Sequence, residues 1–190
     1  MTAPAKRAVM IGASAGALEA LSLLLPALPS AFPLPVFVIV HVPADKPSVL
    51  AEIFSAKCRV RVIEAEDKEP IESGVVYFAP PDYHMLLEDK STIALSNEDA
   101  VLFSRPSIDV SLESAADVWG GDLIGIILTG ANQDGARGLQ AVAQAGGTVI
   151  VQNPDDAYAR AMPDAAIALC SQAKVMSLAD ISDYLSSIAP

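Results

Sequence analysis

Three continuous apolar runs, AVMIGA (8–13), VFVIVH (36–41) and LIGIIL (123–128), limit what this chain can fold into. None alternates apolar with polar residues. A strand that reads this way has both faces buried, as in a parallel sheet covered by helices on each side. Helix-like stretches lie between the runs. Gly16 to Leu28 places apolar residues at helical spacing, with Pro26 closing it. Ser48 stands ready to cap VLAEIF, Ser107 to cap a helix through Trp119, and Ser177 to cap LADISDYLSSI. Further helices are expected over Gly135–Ala145 and Pro163–Leu169, and further strands over Arg59–Ile63 and Thr148–Val151.

The pattern changes between Gly74 and Leu95. VVYFAP, HMLLE and TIAL read as short strands separated by PPDY and DK, an antiparallel meander. The expected fold class is α/β: a doubly wound, mainly parallel sheet with helices on both faces and a short antiparallel insertion. No internal repeat or low-complexity linker breaks the 190 residues, so one domain over 1–190 is expected.

Composition narrows the function. Hydrophobic residues make up 52% of the chain, enough for a full core. The net charge of −11 argues against nucleic acid and against anionic membrane surfaces as partners. Pro, Ser or charge interrupts every apolar stretch before it reaches membrane-spanning length, so no membrane insertion is expected. The run after Lys6 and Arg7 is too short for a signal peptide, and a soluble, cytoplasmic protein is expected. Cys58 and Cys170 sit in no CxxC or Cys/His cluster, so they read as core thiols and no metal site is expected.

Ligands of an open parallel sheet bind at the carboxyl ends of its strands, near the point where strand order reverses. Three polar residues fall at such ends. Ser14 follows AVMIGA in Gly12-Ala13-Ser14-Ala15-Gly16, which matches the G-x-S-x-G nucleophile elbow between a strand and a helix. Read structurally, the same residues are a glycine-rich turn, but they lack the glycine spacing and the Lys of a phosphate loop. His41 ends VFVIVH, beside the strand of Ser14. Taken alone it would read as a satisfied strand-end histidine. Asp134, in NQDG, suits a turn or helix cap, and it can also accept the second ring proton of His41. Asp45, Asp82 and Asp109 are rival carboxylates: Asp45 is too close to His41 in a turn, Asp82 lies in the insertion, and Asp109 suits the first turn of a helix. His84, inside the insertion, reads as structural.

With these residues in place, the chain resembles the catalytic domain of the bacterial chemotaxis protein-glutamate methylesterase, CheB. The resemblance runs through IGASAGALEAL, VIVHVPADKPSVLAEIF, ESGVVYFAPPDYHMLLE, FSRPSIDVSLESAA and GIILTGANQDGARGLQAVAQAGGTVIVQNPDDAYARAMPDAAI. It implies a Ser14–His41–Asp134 catalytic triad and hydrolysis of glutamate methyl esters on chemoreceptor signalling helices, with release of methanol. It also implies deamidation of receptor glutamines in many members, and no cofactor. Backbone N–H groups near Ala15 and in the Gly130–Ala131 loop are its expected oxyanion donors. The family's receiver domain is not expected within this sequence, which implies activity without phosphorylation; a separate regulator acting in trans is the alternative. Ala17, Ala131 and Ala161 stand where the family commonly has Gly, Met and Gly, and small side chains there are expected to widen the cleft. Two other readings stay open: a catalytically silent receptor-binding relative, and a small-molecule esterase on the same fold.

Overall fold

A computed structural model describes residues 5–188. In chain order the elements are β1 (Ala8–Ala13), α1 (Ala17–Leu24), β2 (Val36–Val40), α2 (Leu50–Ser55), β3 (Arg61–Glu64), β4 (Val75–Phe78), β5 (His84–Leu87) and β6 (Ile93–Ser96). They continue as α3 (Ile108–Trp119), β7 (Leu123–Ile127), α4 (Ala136–Gln144), β8 (Thr148–Gln152), α5 (Ala161–Leu169), β9 (Lys174–Met176) and α6 (Leu178–Ser186). Seven strands form one parallel sheet in the order β3-β4-β2-β1-β7-β8-β9, and β5 and β6 form a separate antiparallel hairpin.

Period-two side-chain alternation makes this sheet the centre of two cores. Met10 faces one, with Phe37, Tyr77 and the apolar sides of α3, α4 and α5. Val9 and Ile11 face the other, with Val36, Val38 and the apolar sides of α1, α2 and α6. Every residue of β1, β2 and β7 is buried, which explains why their sequences show no polar alternation. Among the described residues no helix is long and apolar enough to cross a membrane.

Strand order reverses at β1. The chain winds from β1 outward through β2 on one side, and from β7 outward through β8 on the other. The crevice between β1 and β7 is therefore the expected ligand position for this topology. Ser14 leaves β1 directly above it.

Four local expectations need correction. VVYF is not part of an antiparallel meander: β4 lies in the main sheet, parallel to both β2 and β3. All four of its residues are buried, the mark of an interior parallel strand. The connection from β3 to β4 is secured by the Tyr77 hydroxyl, which donates to the Pro70 carbonyl and accepts from the Glu72 N–H, both at 2.8 Å. Second, Val49 and not Ser48 is the N-cap of α2, although the Ser48 hydroxyl still accepts from the Leu50 N–H at 3.3 Å. Third, α5 begins at Ala161, two residues before the proline expected to open it. Fourth, β9 is a three-residue edge strand, too short and too exposed to leave an apolar signature. Ser107 and Ser177 cap α3 and α6 as expected, and both cysteines are free thiols. The first residues of the segment judged against a signal peptide, 1–4, lie outside the described residues.

Candidate active site

The Ser14 turn is held from the carboxyl ends of β7 and β8. Its backbone N–H donates to the Thr129 carbonyl at 2.9 Å, just past β7. The Thr129 hydroxyl donates to the Ala15 carbonyl at 2.8 Å and accepts from the Ala159 N–H at 2.9 Å. Thr129 is itself held by Gln152, whose side-chain oxygen accepts the Thr129 N–H at 2.9 Å. Gly16 closes the turn with φ of +84°, in the left-handed region that glycine enters without steric cost. A Cβ there would lie 2.6 Å from Tyr158 Cβ. At the other end of the motif, a Cβ on Gly12 would collide with the Ile108 side chain, so glycine lets the start of α3 press onto β1.

His41 follows β2, which pairs with β1 so that Ala13 lies opposite Val40. The His41 N–H donates to the Ala13 carbonyl at 3.4 Å, carrying the pairing one step further and setting His41 beside the Ser14 turn. The imidazole Nε2 lies 2.7 Å from Asp134 Oδ2. This contact leaves Nδ1 as the ring nitrogen open to a hydroxyl. Among the described residues no hydrogen bond joins the Ser14 hydroxyl to the ring; such contacts commonly tighten only when substrate binds.

Asp134 is fully buried, and four donors converge on it. Oδ1 accepts from the Ser107 hydroxyl and the Asp109 N–H, both at 2.9 Å. Oδ2 accepts from the Ile108 N–H at 2.7 Å besides His41. The first free N–H groups of α3 are thus satisfied by a carboxylate from the loop before α4. Burial alone would raise the Asp134 pKa. The hydrogen bond from His41 and those from the Asp109 and Ile108 N–H groups overcome it, and the net direction is down. The charged carboxylate is therefore the stable form, suited to orient an imidazole and stabilise its protonated state.

Asp109 mirrors this arrangement. It sits in the first turn of α3, as expected, but its side chain serves the other helix: Oδ1 accepts from the Gly135 N–H at 2.9 Å and the Gly138 N–H at 2.7 Å, at the start of α4. Asp134 does not cap α4, whose N-cap residue is Gly135. His84 is buried and structural. Its Nδ1 accepts from the Ser107 N–H at 3.1 Å and its Nε2 donates to the Asp99 carbonyl at 3.0 Å, which steadies the serine that holds Asp134.

Sequence reasoning missed the supporting roles of Thr129, Gln152, Ser107 and Asp109. The signal available for Thr129 was its place in LTG, a polar residue ending an otherwise apolar run beside β1. The Gly130 part of the oxyanion expectation fails, because that N–H donates to the Ala159 carbonyl at 3.0 Å. The Ala15 N–H has no acceptor among the described residues. Of the three departures from the family pattern, Ala17 is buried in the α1 core, and Ala131 and Ala161 are exposed. The two hollows beside the site are lined by other residues.

A family model described as CheB methylesterase matches residues 9–185. The chain belongs to the CheB methylesterase family. A Leptospira interrogans relative is 44% identical over 176 residues, spanning 93% of this chain and 91% of that one. An Archaeoglobus fulgidus protein named protein-glutamate methylesterase/protein-glutamine glutaminase is 36% identical over 180 residues, and the match spans 52% of its length. The crystal structure of the Thermotoga maritima CheB methylesterase catalytic domain superposes with a TM-score of 0.91 at 31% identity, covering 96% of this chain and 98% of that domain. The CheB catalytic fold, a parallel sheet with an added antiparallel hairpin, is thus the fold of this chain.

Proposed function

We propose that this chain hydrolyses glutamate methyl esters on a chemoreceptor signalling helix, using Ser14 as nucleophile, His41 as general base and acid, and Asp134 as the group that orients His41. The observation that carries the reading is the 2.7 Å contact between His41 and a buried, charged Asp134, beside a serine on a strand-to-helix turn at the switch point of the sheet.

The chemistry follows the geometry. The Ser14 hydroxyl gives its proton to His41 Nδ1 as its oxygen attacks the ester carbonyl. The carbonyl oxygen takes up negative charge near the Ala15 N–H and the start of α1. His41 returns the proton to the leaving methoxide, methanol departs, and an acyl-serine remains. Water, deprotonated by His41, then attacks that acyl group; the products are a glutamate carboxylate and free Ser14. A glutamine side chain can take the same route with ammonia as the leaving group, which fits the glutaminase name of the relatives. All three residues belong to loops of one seven-stranded sheet, consistent with a single catalytic domain acting in the cytoplasm, where the receptor's signalling helices lie.

The test is methanol release from a methyl-labelled receptor fragment by the purified protein. Release that depends on Ser14 supports the reading. Hydrolysis of p-nitrophenyl acetate with an inert receptor fragment would favour a small-molecule esterase, and inertness toward both, with no labelling by a serine-directed phosphonate, a silent relative.

A further inference from the structure

Residues 97–107 join β6 to α3, and at their tip Val101 and Ser104 exchange both backbone hydrogen bonds, at 3.1 and 2.9 Å. The two residues between them are Leu102 and Phe103, with φ of +49° and +63°. Two left-handed residues in a row form the hairpin turn for which Asn-Gly is the usual sequence. Leucine and phenylalanine are strained in that backbone. Burial does not compensate for the strain: Leu102 is 40% exposed and Phe103 fully exposed.

The loop below the tip is firmly anchored. The Arg105 guanidinium donates to the Asn97 and Glu98 carbonyls and to the Asp82 carboxylate, and His84 donates to the Asp99 carbonyl. The two apolar side chains therefore stand on a fixed ridge. Phe103 and His41 line the same cleft, of about 590 Å³. Leu102 lines the hollow on the other side, about 470 Å³, with Asp109, Gln133 and Arg137. Strain retained in an exposed, rigid turn beside a reacting group points to function.

We infer that Phe103 is a specificity-determining residue, the contact that selects a helix-borne ester over a small one. This rests on the proposed methylesterase reading. A methyl glutamate side chain entering the His41 cleft brings its parent helix over the ridge. Residues three and four positions away lie on the same helix face, within reach of Phe103. A small ester carries no helix to lay across the ridge and gains less from it. The occupant is thus an amphipathic receptor helix, its apolar flank on Phe103 and Leu102.

The test compares two substrates, a methylated receptor fragment and p-nitrophenyl acetate, across wild type, Phe103→Ala and the turn-compatible double variant Leu102→Asn/Phe103→Gly. Both variants should raise KM for the receptor fragment roughly tenfold or more, the loss expected on removing a buried aromatic anchor. Receptor kcat should change little, any loss on p-nitrophenyl acetate should be much smaller than the receptor loss, and the double variant should melt higher than wild type because its turn is relaxed. An unchanged receptor KM would overturn the inference, as would equal losses on both substrates. A wild-type dimer that dissociates in Phe103→Ala would overturn it too, by assigning the ridge to self-association. Wild type inert toward the receptor fragment would sink the functional reading and this inference with it, whereas active wild type with unaffected variants sinks the inference alone.

Discussion

Asp109 and Asp134 exchange helix ends. Asp109 belongs to α3 and caps α4; Asp134 precedes α4 and caps α3. The carboxylate that faces His41 is thereby tied to a second one that faces no reacting group. The backbone groups they satisfy would otherwise be buried without partners, at about 1–3 kcal/mol each.

Replacing Asp109 separates the two tasks. Burial raises its pKa first, and the neighbouring Asp134 charge adds to that, against the N–H groups of Gly138 and Gly135. A carboxyl whose pKa is raised in the folded state binds its proton more tightly there than when unfolded. Its charged form therefore weakens the fold, and the loss grows as pH rises from the ordinary carboxylate range through the raised value. Asp109→Asn keeps the oxygen that accepts both N–H groups and removes the charge. It should be more stable than wild type near neutral pH, with the advantage shrinking on acidification. Asp109→Ala leaves both N–H groups orphaned and should lose about 2–6 kcal/mol, at about 1–3 for each. Urea unfolding of both variants across this pH range checks the pair of signs.

For Asp134→Asn we expect a loss of kcat on the order of 10⁴-fold, the scale known for a triad carboxylate turned to amide. Unlike a simple tautomer defect, it should also destabilise. Each oxygen of Asp134 accepts one backbone N–H, so an amide nitrogen in either orientation opposes the N–H of Ile108 or Asp109. About 1–3 kcal/mol should be missing in chemical denaturation. Full stability with full activity would remove Asp134 from the mechanism.

Ser14→Ala should cut ester hydrolysis by roughly 10³-fold or more while leaving the fold intact. The Ser14 side chain makes no structural hydrogen bond among the described residues, and its backbone anchor to Thr129 survives the change. Near-normal methanol release in this variant, with an unchanged circular dichroism spectrum, would exclude Ser14 as nucleophile.

Gly16→Ala tests the turn itself. A side chain at φ of +84° costs about 1–3 kcal/mol, and here it also meets Tyr158. We expect a lower melting temperature and a kcat loss larger than any rise in KM, because the displaced group is the serine and not the docking surface. If activity per folded molecule is unchanged, the turn geometry does not matter to the chemistry.

The parallel sheet and the strand ends bearing Ser14, His41 and Asp134 were legible because burial on both faces leaves unbroken apolar runs. The placement of β4 was harder to read. Four residues of VVYF suit either kind of sheet, and the neighbouring hairpin β5–β6 suggested the wrong one. The supports of the candidate site were not legible at all. Asp134 meets Ser107, Ile108 and Asp109 across 25 to 27 positions, and no local pattern announces that a helix will be capped from so far away. Asp109 in a first helical turn looks the same in sequence whether its carboxylate serves its own helix or the next. Phe103 was hidden for another reason: it ends the apolar run AVLF (100–103), which is too short to show a period and does not reveal its exposure.

A carboxylate offers about four lone-pair directions, and Asp134 has all of them occupied by Ser107, Asp109, Ile108 and His41. It is saturated. It admits no further donor or cation without first expelling one, and the hydrogen bonds that lower its pKa keep it charged beside the imidazole. In the proposed mechanism it is an immobile negative charge, and the proton that leaves Ser14 waits on the imidazole.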